Sequence, residues 1–156
     1  MGLKLDLGCG TNKVGGGYLG VDCNPDFKPD IVCDLSRDRP APLNSVEAIF
    51  CSHFFEHLEE LSQFVFLGNL VGMCQIGARI VIKVPLNFID PSHPVILKYS
   101  WIRDICEKID KWMALIEYKV EPITTSSILP HEFGKVFTYE QATAVFEMKN
   151  REGLEE

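Results

Sequence analysis

Short apolar runs alternate with connecting segments along the first half of the chain, and this pattern is compatible with few folds. Most of the runs are almost continuously apolar, which is typical of strands covered on both faces of a parallel sheet. Strands that alternate with connections predict an α/β fold: a Rossmann-like, mostly parallel twisted sheet with helices on both faces. The predicted strands are Leu3–Leu7, Tyr18–Asp22, Asp30–Asp34, Val46–Cys51 and Ala78–Val84.

The other segments are assigned from helical spacing and turn residues. Apolar positions between Phe54 and Ile76 recur at helical spacing, and Gly77 is expected to end that helix as a C-terminal cap. Pro85 is expected to end the fifth strand. Beyond it, the sequence predicts a helix at Ser100–Ile109, a sixth strand at Met113–Val120, a weak strand around Lys135–Phe137, and a closing helix over Tyr139–Lys149 with Thr138 as its N-cap.

Length and composition restrict the class of protein. The 156 residues fit one domain, expected over residues 1–150, with a polar, disordered tail at 151–156. The net charge of −7 argues against binding a nucleic-acid backbone. No apolar run approaches the roughly 18 residues that cross a bilayer, and no signal peptide is expected. The six cysteines are scattered, so we expect reduced thiols in a cytoplasmic protein.

A glycine turn follows the first strand, where an open α/β sheet binds its ligand. Gly8 and Gly10 would let a nucleotide cofactor approach the backbone closely, and a carboxylate at Asp22 could accept both ribose hydroxyls. A nicotinamide-dependent oxidoreductase is disfavoured, because Lys13 replaces the third glycine of the dinucleotide fingerprint. Only the segment Thr11–Gly17 separates the turn from the next strand, which leaves no room for a phosphate-binding helix.

Several motifs resemble those of one protein family, in the same order along the chain. One segment of the chain resembles the first motif of class I S-adenosylmethionine-dependent methyltransferases. Its sequence is Leu5-Asp6-Leu7-Gly8-Cys9-Gly10-Thr11-Asn12-Lys13. A small subgroup of that family has further motifs that match Gly20-Val21-Asp22, Asp34-Leu35, Asn44-Ser45, Ser52-His53 through Glu56-His57-Leu58, and Asp90-Pro91-Ser92-His93. The resemblance covers residues 3–93 and implies methyl transfer from S-adenosylmethionine to an unidentified acceptor, which releases S-adenosylhomocysteine.

The resemblance implies a role for residues at the ends of the first two strands. Asp6, with the backbone of Gly8, Cys9 and Gly10, would hold the methionine portion of the cofactor. Asp22 would accept the ribose hydroxyls.

Residues after the third and fourth strands complete the implied cofactor site. Asp34 and Leu35 would flank the adenine, and the Asp34 carboxylate would accept its exocyclic amine. Ser52 and His53 would lie beside the sulfonium and its methyl group. The full expected cofactor-binding set is Asp6, Gly8, Cys9, Gly10, Asp22, Cys23, Asp34, Leu35, Ser52 and His53.

The segment after the fourth strand also contains a His-x-x-Glu-His string, formed by His53, Glu56 and His57. Known zinc signatures use other spacings and no remote ligand cluster is evident, so no metal site is expected. Ser52 is expected to cap the following helix, whose first turns carry acidic residues. His57 is expected to hydrogen-bond the backbone of a neighbouring loop.

Two more histidines are candidates for an acceptor pocket above the sheet. His93 and His131 fall on predicted loops, where they could equally be ordinary surface residues. For a hydroxyl acceptor, His53 or His93 is the expected general base, because an imidazole titrates near neutral pH. The catalytic candidates are therefore His53 and His93.

The chain departs from larger members of the family at both ends. Only Met1-Gly2 precede the first strand, and the predicted closing strands are few, so the fold is expected to be abbreviated. A catalytically weak or inactive module that binds the cofactor or a partner protein is therefore an alternative function. If the closing strands are missing, the fifth strand would be an open edge, which predicts a homodimer or a partner subunit.

Overall fold

The computed structural model describes residues 2–90, 92–126 and 134–150. Its strands are β1 (Leu3–Leu7), β2 (Leu19–Asp22), β3 (Ile31–Val32), β4 (Val46–Ser52), β5 (Cys74–Leu86), β6 (Met113–Ser126) and β7 (Val136–Met148). The helices are α1 (Glu60–Met73) and α2 (Trp101–Ile109), with short 3₁₀ turns at Pro25–Phe27 and Phe55–His57. Within the described residues, the strands form one sheet in the order β3-β2-β1-β4-β5-β7-β6.

The sheet topology places the beginning of the chain at the centre of the molecule. Strands β1 to β5 pair in parallel, while β7 lies antiparallel between β5 and β6. Strand β1 has β2 on one side and β4 on the other, so the strand order reverses there. This is the arrangement in which a ligand binds beyond the carboxyl ends of the strands. The predicted Rossmann-like, mostly parallel α/β fold is confirmed.

The core forms where the central strands meet the helices. Leu7 in β1, Ile49 in β4 and Ile82 in β5 are at most 1% exposed. Trp101 of α2 packs edge-on against Phe55, with 6.0 Å between the ring centroids. This contact anchors the 3₁₀ turn that follows β4, and the turn carries residues of the candidate site.

The segment between β4 and β5 differs from its prediction. The α-helix begins at Glu60 rather than Phe54, because a 3₁₀ turn comes first. Gly77 does not cap the helix: it lies inside β5 with φ +78°, where β5 carries extra residues relative to β4. Pro85 does not end β5 either. Pairing with β4 stops at Lys83, so Pro85 has only β7 as a paired neighbour and its missing N–H is tolerated.

The predicted closing helix over Tyr139–Lys149 is wrong, because all of this segment but its last residue lies in strand β7. Thr138 is not an N-cap, and its hydroxyl lies 2.9 Å from that of Thr124 in β6. The weak strand expected around Lys135–Phe137 is the beginning of β7, and β6 extends past Val120 to Ser126. Because β7 is paired on both sides, its backbone is extended, although its sequence pattern predicts a helix.

Strand β5 is therefore not an edge of the sheet, since β4 and β7 flank it. Because β5 is paired on both sides, it gives no reason to expect a partner. The homodimer or partner subunit stays a prediction. The six cysteines all lie within the described residues and form no disulfide bonds. None of the helices in the described segments is long and apolar enough to span a membrane.

Candidate functional site

The glycine turn after β1 is an open bend that is hydrogen-bonded to β2. Gly8 and Gly10 have φ values of +70° and +54°, a region that glycine adopts without strain. The N–H groups of Gly8 and Cys9 both donate to the carbonyl of Val21, at 2.8 and 3.1 Å. A Cβ on Gly10 would meet no atom within 4 Å, so the backbone at this position is open to a ligand.

The Asp22 carboxylate lies directly beside this bend. Its Oδ2 accepts the N–H of Gly10 and its Oδ1 accepts the N–H of Asn24, both at 3.0 Å. Each carboxylate oxygen can accept a second hydrogen bond, so Asp22 can still receive hydroxyl donors. The geometry thus brings the predicted ribose acceptor and the predicted glycine turn together.

Asp6 holds the loop that follows the turn. It is 3% exposed, and its Oδ2 accepts the N–H of Val14 at 2.8 Å. Burial raises the pKa of the Asp6 carboxyl, and the hydrogen bond from Val14 partly offsets this. In the same loop, Lys13 pairs with Asp30 at 3.2 Å. Burial likewise raises the pKa of the Cys9 thiol, which keeps it protonated.

A first cavity of about 230 Å³ opens at the ends of β2 and β3, and we call it the strand-end cavity. The Asp34 carboxylate lines it, and its Oδ1 accepts the N–H and hydroxyl of Ser36, at 3.1 and 2.6 Å. These hydrogen bonds lower the pKa of Asp34, which favours the ionised, accepting form. Its lining is Asp22, Cys23, Cys33, Asp34, Leu35, Ser36, Phe54, His57 and Leu58.

Four residues predicted from sequence therefore share the strand-end cavity: Asp22, Cys23, Asp34 and Leu35. Sequence reasoning missed Phe54, which lies against the glycine turn: a Cβ on Gly8 would come within 2.4 Å of its ring. Phe54 begins an apolar pattern of helical spacing, and that pattern does not indicate a contact with the glycine turn. The 3₁₀ turn, which that pattern does not reveal, directs Phe54 towards the site.

A second cavity of about 220 Å³ adjoins the first, since His57 lines both; we call it the histidine cavity. Its lining is His53, Glu56, His57, Pro85, Phe88, His93, Thr125, Phe137 and Tyr139. The two catalytic candidates, His53 and His93, are thus brought together. The aromatic wall was not predicted, because Phe137 and Tyr139 belong to β7.

The histidines are oriented by neighbouring groups. His53 has φ +54°, and its Nε2 lies 2.7 Å from Oε1 of Gln141. His57 Nδ1 lies 3.1 Å from the carbonyl oxygen of Ser92, which confirms the expected backbone hydrogen bond. Burial lowers the pKa of His93, and the neighbouring His57 lowers it further.

Glu56 is a buried carboxyl group between these histidines. It is 1% exposed, and neither carboxylate oxygen has a hydrogen-bond partner among the described residues. Its Oε1 lies 3.8 Å from Nδ1 of His53 and 3.7 Å from Nε2 of His57. Burial raises the pKa of Glu56 to about 7. Glu56 therefore combines burial, a raised pKa and the absence of a hydrogen-bond partner among the described residues.

Two other sequence predictions have different outcomes. Ser52 is the last residue of β4 and caps no helix: Phe54 precedes the 3₁₀ turn and Glu59 precedes α1. Ser52 lines neither cavity. His131 lies outside the described residues.

A larger cavity of about 510 Å³ lies between α1 and α2, and none of the predicted site residues lines it.

Comparisons with known proteins support the fold. No protein-family model and no curated protein matches the sequence. Among solved structures, the chain is similar to S-adenosylmethionine-dependent methyltransferases from Methanosarcina mazei (TM-score 0.71, 11% identity, 94% of this chain and 91% of that one) and Archaeoglobus fulgidus (0.61, 18%, 95% and 86%).

A third similar structure is a complex of the Haloferax volcanii Trm112 methyltransferase activator (TM-score 0.65, 13% identity, 96% of this chain and 83% of the matched one). Sequence identities this low establish a shared fold and nothing finer. The chain therefore has the fold of the S-adenosylmethionine-dependent methyltransferases, and its two adjoining cavities lie where the strands β2 to β5 end.

Proposed function

We propose that this chain is an S-adenosylmethionine-dependent methyltransferase that transfers the methyl group to an unidentified acceptor by in-line displacement, with release of S-adenosylhomocysteine. The observation that carries the proposal is the junction of two cavities, one with acceptor carboxylates beside an open glycine turn and one with histidines. A cofactor in the first cavity and an acceptor in the second would meet at the shared residue His57.

The residues present fit the cofactor. Asp22 and Asp34 supply hydrogen-bond acceptors for ribose hydroxyls and an adenine amine, with Cys23 and Leu35 beside them. The bend at Gly10 leaves space against the backbone. When bound, the cofactor supplies an activated methyl group, so the protein mainly has to hold two reactants in line.

The remaining predicted residues would serve the methyl end of the cofactor. We propose that Asp6, with the backbone of Gly8, Cys9 and Gly10, holds the methionine portion. Ser52 and His53 are proposed to lie beside the sulfonium, because Ser52 is the last residue of β4, which lies next to β1, and His53 follows it. His53 lines the histidine cavity and would thus face the acceptor.

An acceptor hydroxyl would need a base. His53 and His93 are the candidates because both line the histidine cavity. The test is release of S-adenosylhomocysteine from S-adenosylmethionine with a panel of hydroxyl, amine and thiol acceptors. If a hydroxyl is the acceptor, loss of the base should lower the rate about 10²–10⁴-fold. Undiminished rates in both His53→Ala and His93→Ala would remove the base assignment.

A cofactor-binding or protein-interaction module without transferase activity is the second candidate. The observation that favours it is the set of short connections between β1 and β4, which contain no α-helix in the described residues to cover the glycine turn. A structure with this fold is a complex of a methyltransferase activator, so a partner subunit could complete the site. Binding of S-adenosylhomocysteine without transfer to any lysate component would support the module.

A further inference from the structure

Glu56 is a buried carboxyl group whose ionised form needs a counter-charge. Its carboxylate is 1% exposed and its two oxygens accept no hydrogen bond from the described residues. Buried carboxyl groups without a partner are costly, and native proteins normally pair them or use them to coordinate metals. The described surroundings of Glu56 contain histidines and aromatic rings, with no lysine or arginine among the lining residues.

In its neutral form, His57 presents a lone pair towards Glu56. Its Nδ1 lies 3.1 Å from the Ser92 carbonyl, which can only accept, so in that form Nδ1 donates its proton to the carbonyl and Nε2 has the lone pair. That Nε2 lies 3.7 Å from Glu56 Oε1. Metal-bound histidines commonly donate their other N–H to a backbone carbonyl in this way. The arrangement favours a cation between the two side chains.

A remote third ligand is present in the folded chain. One potential ligand atom from each of Glu56, His57 and His93 lies within 4.8 Å of the others. The rings of His57 and His93 are 4.7 Å apart, centroid to centroid. Ligand atoms around a tetrahedral zinc ion are about 3.3 Å apart, so a small side-chain adjustment would suffice. Sequence reasoning rejected a metal because it found no remote ligand, and the fold supplies one.

We propose that Glu56, His57 and His93 bind one divalent transition-metal ion of the zinc class in the histidine cavity. Two imidazoles and one carboxylate suit zinc better than magnesium, which prefers oxygen ligands alone. Three protein ligands leave a fourth position open towards the cavity. If the proposed transferase function holds, an acceptor oxygen or nitrogen would occupy that position and His53 would remain as the base.

The test is a zinc titration of the full chain, after dialysis against a chelator, in competition with a chromophoric zinc indicator. The wild-type chain should bind one equivalent. Glu56→Gln, His57→Ala and His93→Ala should each weaken zinc binding at least 10-fold. Magnesium should not displace the zinc. Binding of Co²⁺ should give the visible absorption of a four-coordinate ion in the wild type and lose it in the three variants.

The matched control is Cys23→Ser, which removes an exposed thiol that could bind zinc adventitiously. It should leave the affinity unchanged. Equal affinity in the wild type and the His57→Ala and His93→Ala variants, or loss of binding in Cys23→Ser alone, would overturn the proposal. Circular dichroism of the metal-free variants checks that each is folded. The titration uses no cofactor, so its outcome is independent of the proposed methyltransferase activity.

Discussion

At Gly8, the backbone bend and a packed aromatic ring exclude any side chain. The residue has φ +70°, and a Cβ would lie 2.4 Å from the ring of Phe54. Gly10 has a similar φ of +54° but open space where its Cβ would be. Gly8 is therefore required by its packing against Phe54 as well as by its backbone conformation. Gly10 is required by its backbone conformation and because it leaves the space beside the backbone open to a ligand.

Gly8→Ala should consequently cost more stability than Gly10→Ala. The left-handed conformation costs an alanine about 1–2 kcal/mol at either position, and overpacking against Phe54 adds about 1–3 kcal/mol at Gly8. The measurement is the free energy of unfolding in urea for the two variants and the wild type. Equal losses at the two positions would show that Phe54 does not pack against the turn.

The same residue-level chemistry explains which site residues the sequence could predict. Asp22 ends β2 and Asp34 follows β3, and parallel strands bring such ends to one edge of a sheet. The neighbourhood of Glu56 could not be predicted in this way. It depends on His93, which is brought close by the loop after β5, and loop paths carry no periodic signal.

At the level of elements, β7 is the main error of the sequence prediction and decides how the histidine cavity is built. Its residues Gln141–Phe146 are buried without interruption, so the alternation expected of a strand is missing. Burial on both faces of the sheet accounts for this pattern, and β7 is an interior strand that lies between β5 and β6. The first strands were predictable because turn residues bound them, whereas β7 required knowledge of its neighbours.

The strand assignment of β7 predicts contrasting effects at two adjacent positions. Phe146 is 0% exposed and pairs with Ile80 and Leu115, so Phe146→Ala should destabilise the chain by about 3–5 kcal/mol. The neighbouring Glu147 is exposed, and Glu147→Ala should change stability by no more than about 0.5 kcal/mol. Chemical denaturation of both variants checks this. Similar losses would contradict the placement of Phe146 in the core.

At the level of the whole molecule, the sheet order brings chemistry from both halves of the chain to one edge. The N-terminal half supplies the glycine turn and the carboxylates of the strand-end cavity. The C-terminal half supplies Phe137 and Tyr139, which close the histidine cavity against residues that follow β4. The sequence motifs end at His93, so they include the histidines of the histidine cavity but neither Phe137 nor Tyr139, which is why its aromatic wall was not predictable.

The central claim is that the strand-end cavity and the glycine turn bind the adenosine of the cofactor through Asp22. Isothermal titration with S-adenosylhomocysteine measures this directly on the wild type, on Asp22→Ala, and on Asp26→Ala as a control with an exposed carboxylate four residues away.

Hydrogen bonds to a charged group contribute about 1.5–3 kcal/mol, so Asp22→Ala should weaken binding by roughly 10- to 100-fold. Asp26→Ala should bind like the wild type. No measurable affinity in the wild type, or equal affinity in all three proteins, would contradict the account.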